Sequence, residues 1–343
     1  MKLSKSLWVL VLCLPFCSTK AVAQTTICYN KAIAFIQDRS FTEAIAQLDQ
    51  CLSSDPNMAM AYFQRGTCQL MLQKPNIALV DFNQALRLDS NITEAYLNRG
   101  IAHHALNNLT FSESDFLVFL RRQSNDLRGL YNLAVLSEDM DNYPQAITYY
   151  SRYLEQAPDL KIRQLRAMAY AAIDSINLAI KDIDICLQPN ANDTSLWMSK
   201  GNIYYDANRF REAIDAYNVI LLLYPKHKEA LYNRADAYSN LGVFELAILD
   251  YQSLLSIGRN EADYHFNIGF CQIQLKQNEA AIMSLNKAID LEFPDFGLLL
   301  TLRGVAYNNL KLQAEACSDW KHALQIGYKE AQKYVDELCG LGK

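Results

Sequence analysis

Glycine and proline are scarce, 12 and 8 in 343 residues, which excludes a β-rich or loop-rich fold. Histidine is scarcer still, at five. No Cys-x-x-Cys pair, GxxxxGK[ST], GxSxG, HExxH or GxGxxG pattern occurs, so no standard zinc, phosphate-cradling or nucleophilic site can be read from the chain. Clustered Lys and Arg are also missing. Nucleic acid, whose phosphates demand such clusters, is therefore not an expected partner. Past the first residues no apolar run reaches 18, so the mature chain is not expected to insert into a membrane. These gaps leave no expected catalytic residue, metal or cofactor.

The N-terminus reads as a targeting segment. Lys2 and Lys5 precede an apolar run from Leu7 to Cys17, and Ala21-Val22-Ala23 offers small residues for cleavage before Gln24. A run of 11 residues is too short for the ~20 that a membrane span needs. We therefore read residues 1–23 as a signal peptide, and the mature chain as periplasmic or secreted. Loss of Lys2, Lys5 and Lys20 lowers the basic count from 32 to 29 against 37 acidic residues, a net charge of −8.

What is abundant is a repeat. A small residue recurs at Ala44, Ala78, Ser112, Ala146, Ala179, Ala213, Ala247, Ala281 and Ala316, in steps of 33 to 35 residues. Twelve residues upstream of each runs a second series: Ala32, Gly66, Gly100, Ala134, Ala167, Gly201, Ala235, Gly269 and Gly304. Each small residue sits among apolar positions spaced three to four apart, so each unit is two amphipathic helices. The two small residues face one another and let the helix axes approach closely. Asn, Asp, Gly and Lys cluster between the helices, and Pro56, Pro158 and Pro225 end second helices.

This pattern resembles the tetratricopeptide repeat family. Trp197 matches the family's Trp near the start of the first helix. Tyr170, Tyr204, Tyr238 and Tyr307 match its Tyr. Phe82, Phe116, Tyr150, Tyr217, Tyr251 and Trp320 match its second-helix aromatic. The leader and chain style are similar to exported proteins of Bacteroidota. The resemblance implies an all-α, right-handed superhelical solenoid of nine helix pairs over residues 24–327. The copies run 25–58, 59–92, 93–126, 127–159, 160–193, 194–227, 228–261, 262–296 and 297–327. The fifth departs most from the pattern. Residues 328–343 form a capping helix and tail that cover the last apolar face.

In such arrays the first helices line a concave groove. One row on them is large and apolar: Tyr29, Phe63, Leu97, Tyr131, Tyr232 and Phe266. The adjacent row holds Asn30, Asn98, Asn132, Asn233 and Asn267, whose amides can pair with an extended peptide. The competing role for these asparagines is to bond neighbouring helices. Arg65, Arg99, Arg234 and Arg303 are expected to stack between repeats rather than bind ligand. A clamp for a terminal carboxylate would have only Arg128 and Lys161 near this face. The pair His103–His104 divides: His103 takes the core tyrosine slot, while His104, about 100° further round, faces the groove and could make binding pH-dependent.

Seven cysteines remain after Gln24. A helical hairpin brings together residues equidistant from its turn. Cys28 and Cys51 flank Asp38–Ser40 in this way, and Cys317 and Cys339 flank Gly327–Tyr328. Each pair could staple one end of the array, with Cys51–Cys68 as a competitor and plain burial as the alternative for all seven. The reading that follows is a non-enzymatic exported scaffold that binds a protein or peptide segment in its groove. A structural component of an envelope or secretion-related assembly, using convex face or ends, is the second reading. An enzyme or metal protein with an unrecognised site is the third.

Overall fold

Two helices and a turn per copy are what the chain forms, in a computed structural model that describes residues 16–258 and 261–340. Most of the leader, residues 1–15, lies outside the described residues, as do residues 341–343 of the tail. From Phe16 the backbone is helical to Gln37.

Two compact units divide the chain. The first, to Ala169, pairs α1 (Phe16–Gln37) with α2 (Phe41–Ser54) and α3 (Ala59–Met71) with α4 (Pro75–Leu88). It continues with α5 (Thr93–Ala105) on α6 (Leu109–Arg122), α7 (Leu127–Asp139) on α8 (Tyr143–Gln156), and most of α9 (Leu160–Ala172). The second unit, from Tyr170, holds the end of α9 and α10 (Ile176–Leu187). Then α11 (Thr194–Asp206) pairs with α12 (Phe210–Leu223) and α13 (Lys228–Leu241) with α14 (Phe244–Ile257). The last pairs are α15 (Ala262–Gln274) with α16 (Asn278–Asp290) and α17 (Phe296–Asn309) with α18 (Gln313–Gln325). A 3₁₀ turn, Lys329–Ala331, and α19 (Gln332–Leu338) fold back on α18. No strand occurs among the described residues. The division falls inside α9, in the copy that departs most from the repeat pattern.

One device ends every first helix. Arg39, Gln73, Asn107, Asp141, Asp174, Asn208, Lys276 and Lys311 all take φ between 55° and 62°, and Gly242 takes 81°. The next N–H then bonds five residues back, as Lys74 N to Gln69 O at 2.9 Å and Val243 N to Tyr238 O at 2.8 Å. This αL closure satisfies carbonyls that the helix end leaves orphaned. Asn, Asp and Gly tolerate that conformation best. Arg39, Gln73, Lys276 and Lys311 adopt it anyway, which shows that packing of the flanking helices outweighs the local penalty of ~1–2 kcal/mol.

Packing within a pair follows from the small residues. A Cβ added at Gly100 would lie 2.5 Å from Phe116 Cε1, and one at Gly66 would lie 2.9 Å from Phe82 Cε1. At Gly304 it would meet Trp320 Nε1 at 2.5 Å. The second-helix aromatic thus lies flat where a side chain would otherwise stand, and Phe82, Phe116, Tyr217 and Trp320 are all fully buried.

A second tie crosses from helix to helix. Arg99 donates from Nε and Nη2 to both oxygens of Asp115, at 2.8 and 2.7 Å, while Nη1 reaches Asn83 of the preceding copy at 2.8 Å. Arg65 holds Asp81 and Asp49 in the same manner. Arg234 holds Asp250 and Asn218, and Arg303 holds Asp319 and Asn286. The aspartates are almost wholly buried, so each depends on its guanidinium; removing one partner of a buried pair costs about 3–5 kcal/mol. The expectation that these arginines serve the repeats is met.

Each end is covalently closed. Cys28 and Cys51 form a disulfide between α1 and α2, and Cys317 and Cys339 form one that ties the end of α19 to α18. Cys68, Cys186 and Cys271 are buried and belong to neither disulfide, so the Cys51–Cys68 alternative is not used. At the C-terminus Tyr334 stacks on Trp320, with ring centroids 5.0 Å apart.

Gly100→Val should lower stability by about 1–3 kcal/mol, seen as a lower urea midpoint, because the ring of Phe116 has no room to yield. An unchanged midpoint would contradict the close approach of α5 and α6. Reductant should speed amide exchange in α18–α19 and α1–α2 while exchange in α5–α6 and α13–α14 stays as it was; uniform acceleration would show that the staples act globally.

Candidate binding face

The first helices carry the residues proposed to line a groove, and the structure sorts them. In the first unit Tyr131 is open, 40% exposed, and lies beside the start of α9. There Tyr131, Tyr153, Ile162, Leu165 and Met168 wall a cleft of about 600 Å³, with Lys161 and Gln164 at its polar side. Asp159 fixes the entry: its Oδ1 accepts from the backbone N–H of Lys161 and Ile162, at 2.8 and 3.2 Å, so α9 starts at a defined angle. Leu160 and Met168, 47% and 45% exposed, extend the apolar surface. The cleft is largely apolar with few polar groups, the composition of a binding site.

Two of the apolar row do not belong to an open surface. Phe63 is 8% exposed and packs at 6.3 Å from the ring of Phe82. Leu97, 2% exposed, is enclosed with Phe116 and Phe119. Both are core residues, because the neighbouring copy covers this side of the helix where the inner row was expected. Tyr29 is half-buried, with its phenol pKa raised by burial and opposed by a hydrogen bond with Gln64 of the next copy. In the second unit Tyr232 remains 37% exposed and packs against Tyr251 and Tyr264. Phe266 lies against Phe293, their rings stacked 4.2 Å apart.

The asparagine row divides as well. Asn98 Nδ2 donates to Thr67 Oγ1 of the preceding copy at 3.0 Å, and Asn233 Nδ2 to Asn202 Oδ1 at 3.1 Å. Asn132 Nδ2 donates to the Arg128 carbonyl of its own helix at 2.7 Å. Asn267 bonds the Tyr232 hydroxyl, and Asn30 is exposed. The competing reading therefore describes Asn98 and Asn233: their amides tie one first helix to the next.

Charged groups near this face are mostly engaged. Arg128 donates to Glu94 Oε2 and to Asp126 Oδ2, each at 2.8 Å, and holds the Asp126 carboxyl below its ordinary range. Of the two bases considered for a carboxylate clamp, Arg128 is thus held by two carboxylates. His104 Nε2 lies 2.5 Å from Asp139 Oδ2 of the next copy, so it too serves as a bridge between copies. His103 points away, its ring stacked 5.3 Å from Phe111. The two rings serve different contacts, and no group of three or more potential metal ligands occurs among the described residues.

The sequence rows missed part of the inner face. Gln164 and Met168 lie in the fifth copy, where the register shifts by one. Asn202 and Asp236 lie one turn further along α11 and α13, Tyr205 and Asp206 two turns further along α11, and in the second unit they line a smaller, polar cleft with Tyr217 and Asn233. Extending the rows by one helical turn reaches Asn202 and Asp236, and by a second turn Tyr205 and Asp206.

Comparison of the sequence with family models agrees with this architecture. Models of the tetratricopeptide repeat match residues 25–58, 128–159, 198–262 and 262–295. Protein O-mannosyl-transferase TMTC3 of Homo sapiens is 29% identical over 45% of this chain and 16% of its own length. A peroxisomal targeting signal receptor of Candida glabrata is 26% identical over 40% of this chain and 24% of its own. The chain thus spans a quarter or less of these curated relatives. The solved structure of YrrB, described as a TPR protein with an unusual peptide-binding site, superposes with a TM-score of 0.48. It is 18% identical and covers 54% of this chain and 95% of that one.

Burial lowers the His103 pKa below its ordinary value near 6.5; Asp115 opposes the shift and Arg99 adds to it. In that window the unfolded chain binds the proton more readily than the native chain, so this site's contribution to stability falls as pH drops through about 6.5. His103→Tyr, the residue of the equivalent slots, should reduce the loss of melting temperature between about pH 7.5 and about pH 5.5. Equal losses in both proteins would show that His103 binds its proton equally well in the native and unfolded chains, and so that burial does not lower its pKa.

Proposed function

Because the chain belongs to the tetratricopeptide repeat family, we propose that it is a non-enzymatic scaffold or adaptor that binds an extended protein or peptide segment along the inner faces of its first helices. The cleft of Tyr131, Tyr153, Leu165 and Met168 carries this reading. It is open, apolar and aromatic, and aromatic anchors in such clefts supply most of an interface's affinity. The curated relative that is a targeting-signal receptor supports the same class of role. We further propose that the chain is exported. The lysines and short apolar run at the N-terminus support this, and so do two disulfides, which persist in oxidising compartments.

The convex side supplies a second reading, an assembly component that docks through its second helices. Ile77, Val80 and Phe111 on α4 and α6 are 51%, 67% and 66% exposed. One experiment separates the two. The exported chain is used to capture partners from its native host, beside Tyr131→Ala/Met168→Ala and Ile77→Ser/Val80→Ser/Phe111→Ser. Loss of ~2 kcal/mol at an anchor lowers affinity about 30-fold, so the first variant should lose its partner with its melting temperature unchanged. Loss only in the second variant would move the binding surface to the convex face.

A further inference from the structure

Arg65, Arg99, Arg234 and Arg303 show how the repeats hold a guanidinium. Arg234 is typical: both oxygens of Asp250 accept from it at 2.7 and 2.8 Å, the amide oxygen of Asn218 accepts at 2.6 Å, and the Tyr238 ring lies 5.7 Å from its carbon centre. Carboxylate, amide and tyrosine ring recur around Arg99 and Arg303. Around Arg65 a second carboxylate, Asp49, replaces the amide.

The same set lines a cleft between α11 and α13 in the second unit. Its walls are Asn202, Tyr205, Asp206, Tyr217, Asn233 and Asp236, and no Lys or Arg is among them. The amides and tyrosines brace one another: Tyr217 and Asn233 both donate to Asn202 Oδ1, at 2.8 and 3.1 Å, and Asn240 donates to the Tyr205 hydroxyl at 3.0 Å. Tyr205 in turn donates to Asp236 Oδ2. That bond uses one acceptor position of a carboxylate that offers about four. Asp206, the second carboxylate of the lining, is exposed. The volume, about 220 Å³, is below the ~300–1,000 Å³ of small-molecule pockets and suits a single long side chain.

We propose that this cleft receives an arginine side chain of the extended segment bound along the inner face. The proposal rests on the groove-binding reading and adds the chemistry of the ligand: Asp236 and Asp206 accept from the guanidinium, and Tyr205 offers its ring, as Asp250 and Tyr238 do for Arg234. A planar fork of donors fits this arrangement better than an ammonium does.

The test uses the full mature chain and an array of immobilised octapeptides with randomised sequences, probed beside Asp206→Asn, Asp236→Asn and Tyr131→Ala. Both Asn variants keep the shape of the cleft, and circular dichroism and melting temperature establish that each variant is folded. Arginine should be enriched at one position of the bound peptides, above lysine. Its replacement by citrulline should weaken binding about tenfold, and both Asn variants should abolish the preference. Binding with no arginine preference, equal enrichment of lysine, or a preference that survives in both Asn variants would overturn the clamp and leave the groove reading standing. Binding of no peptide at all would overturn both.

Discussion

Close approach of two helices, made possible where one of them has almost no side chain, is the constraint from which the rest of the structure follows. Gly66, Gly100, Gly201 and Gly304 place backbone directly against an aromatic ring of the partner helix. Once that distance is set, the residue just before the small one is carried to the second helix, where Arg65, Arg99, Arg234 and Arg303 meet a buried aspartate sixteen residues on. The fourth copy shows the alternative solution. Leu133 and Tyr149 occupy the two slots, and both are buried. Replacing both members of an ion pair leaves no unpaired charge, which is why the exchange is tolerated. The geometry of each pair is thus conserved by packing, while the chemistry across it varies.

The architecture was legible because it is written in spacing. Two series of small residues place every helix pair, and the arginines before them were correctly read as internal. The turns were less legible. Asn107, Asp141 and Gly242 suit a left-handed backbone, but Arg39, Gln73 and Lys276 carry no such preference and reach φ near 58° only because the helices on either side demand it. A one-residue shift in the fifth copy marked a real feature, since the two compact units divide there.

The binding face was read only in part, for a physical reason. Periodicity along one helix says which residues share a side, but the next copy decides how much of that side stays open. Tyr131 and Tyr232 keep a third or more of their surface, whereas Phe63 and Leu97, in the same row, are sealed. Asn98 and Asn233 likewise find partners on adjacent copies, which a single helix cannot disclose. In the second unit the polar cleft of Asp206 and Asp236 lies one to two turns beyond the rows considered.

The two disulfides bear on how the molecule meets mechanical force. A stack of helix pairs pulled by its ends ordinarily peels from the terminal pairs, which have a neighbour on one side only. Here α1 is covalently joined to α2, and α18 to the end of α19. Tension applied at either terminus is passed through a closed hairpin to the interior. Within each unit the first rupture is thereby moved from the crosslinked hairpin to uncrosslinked pairs.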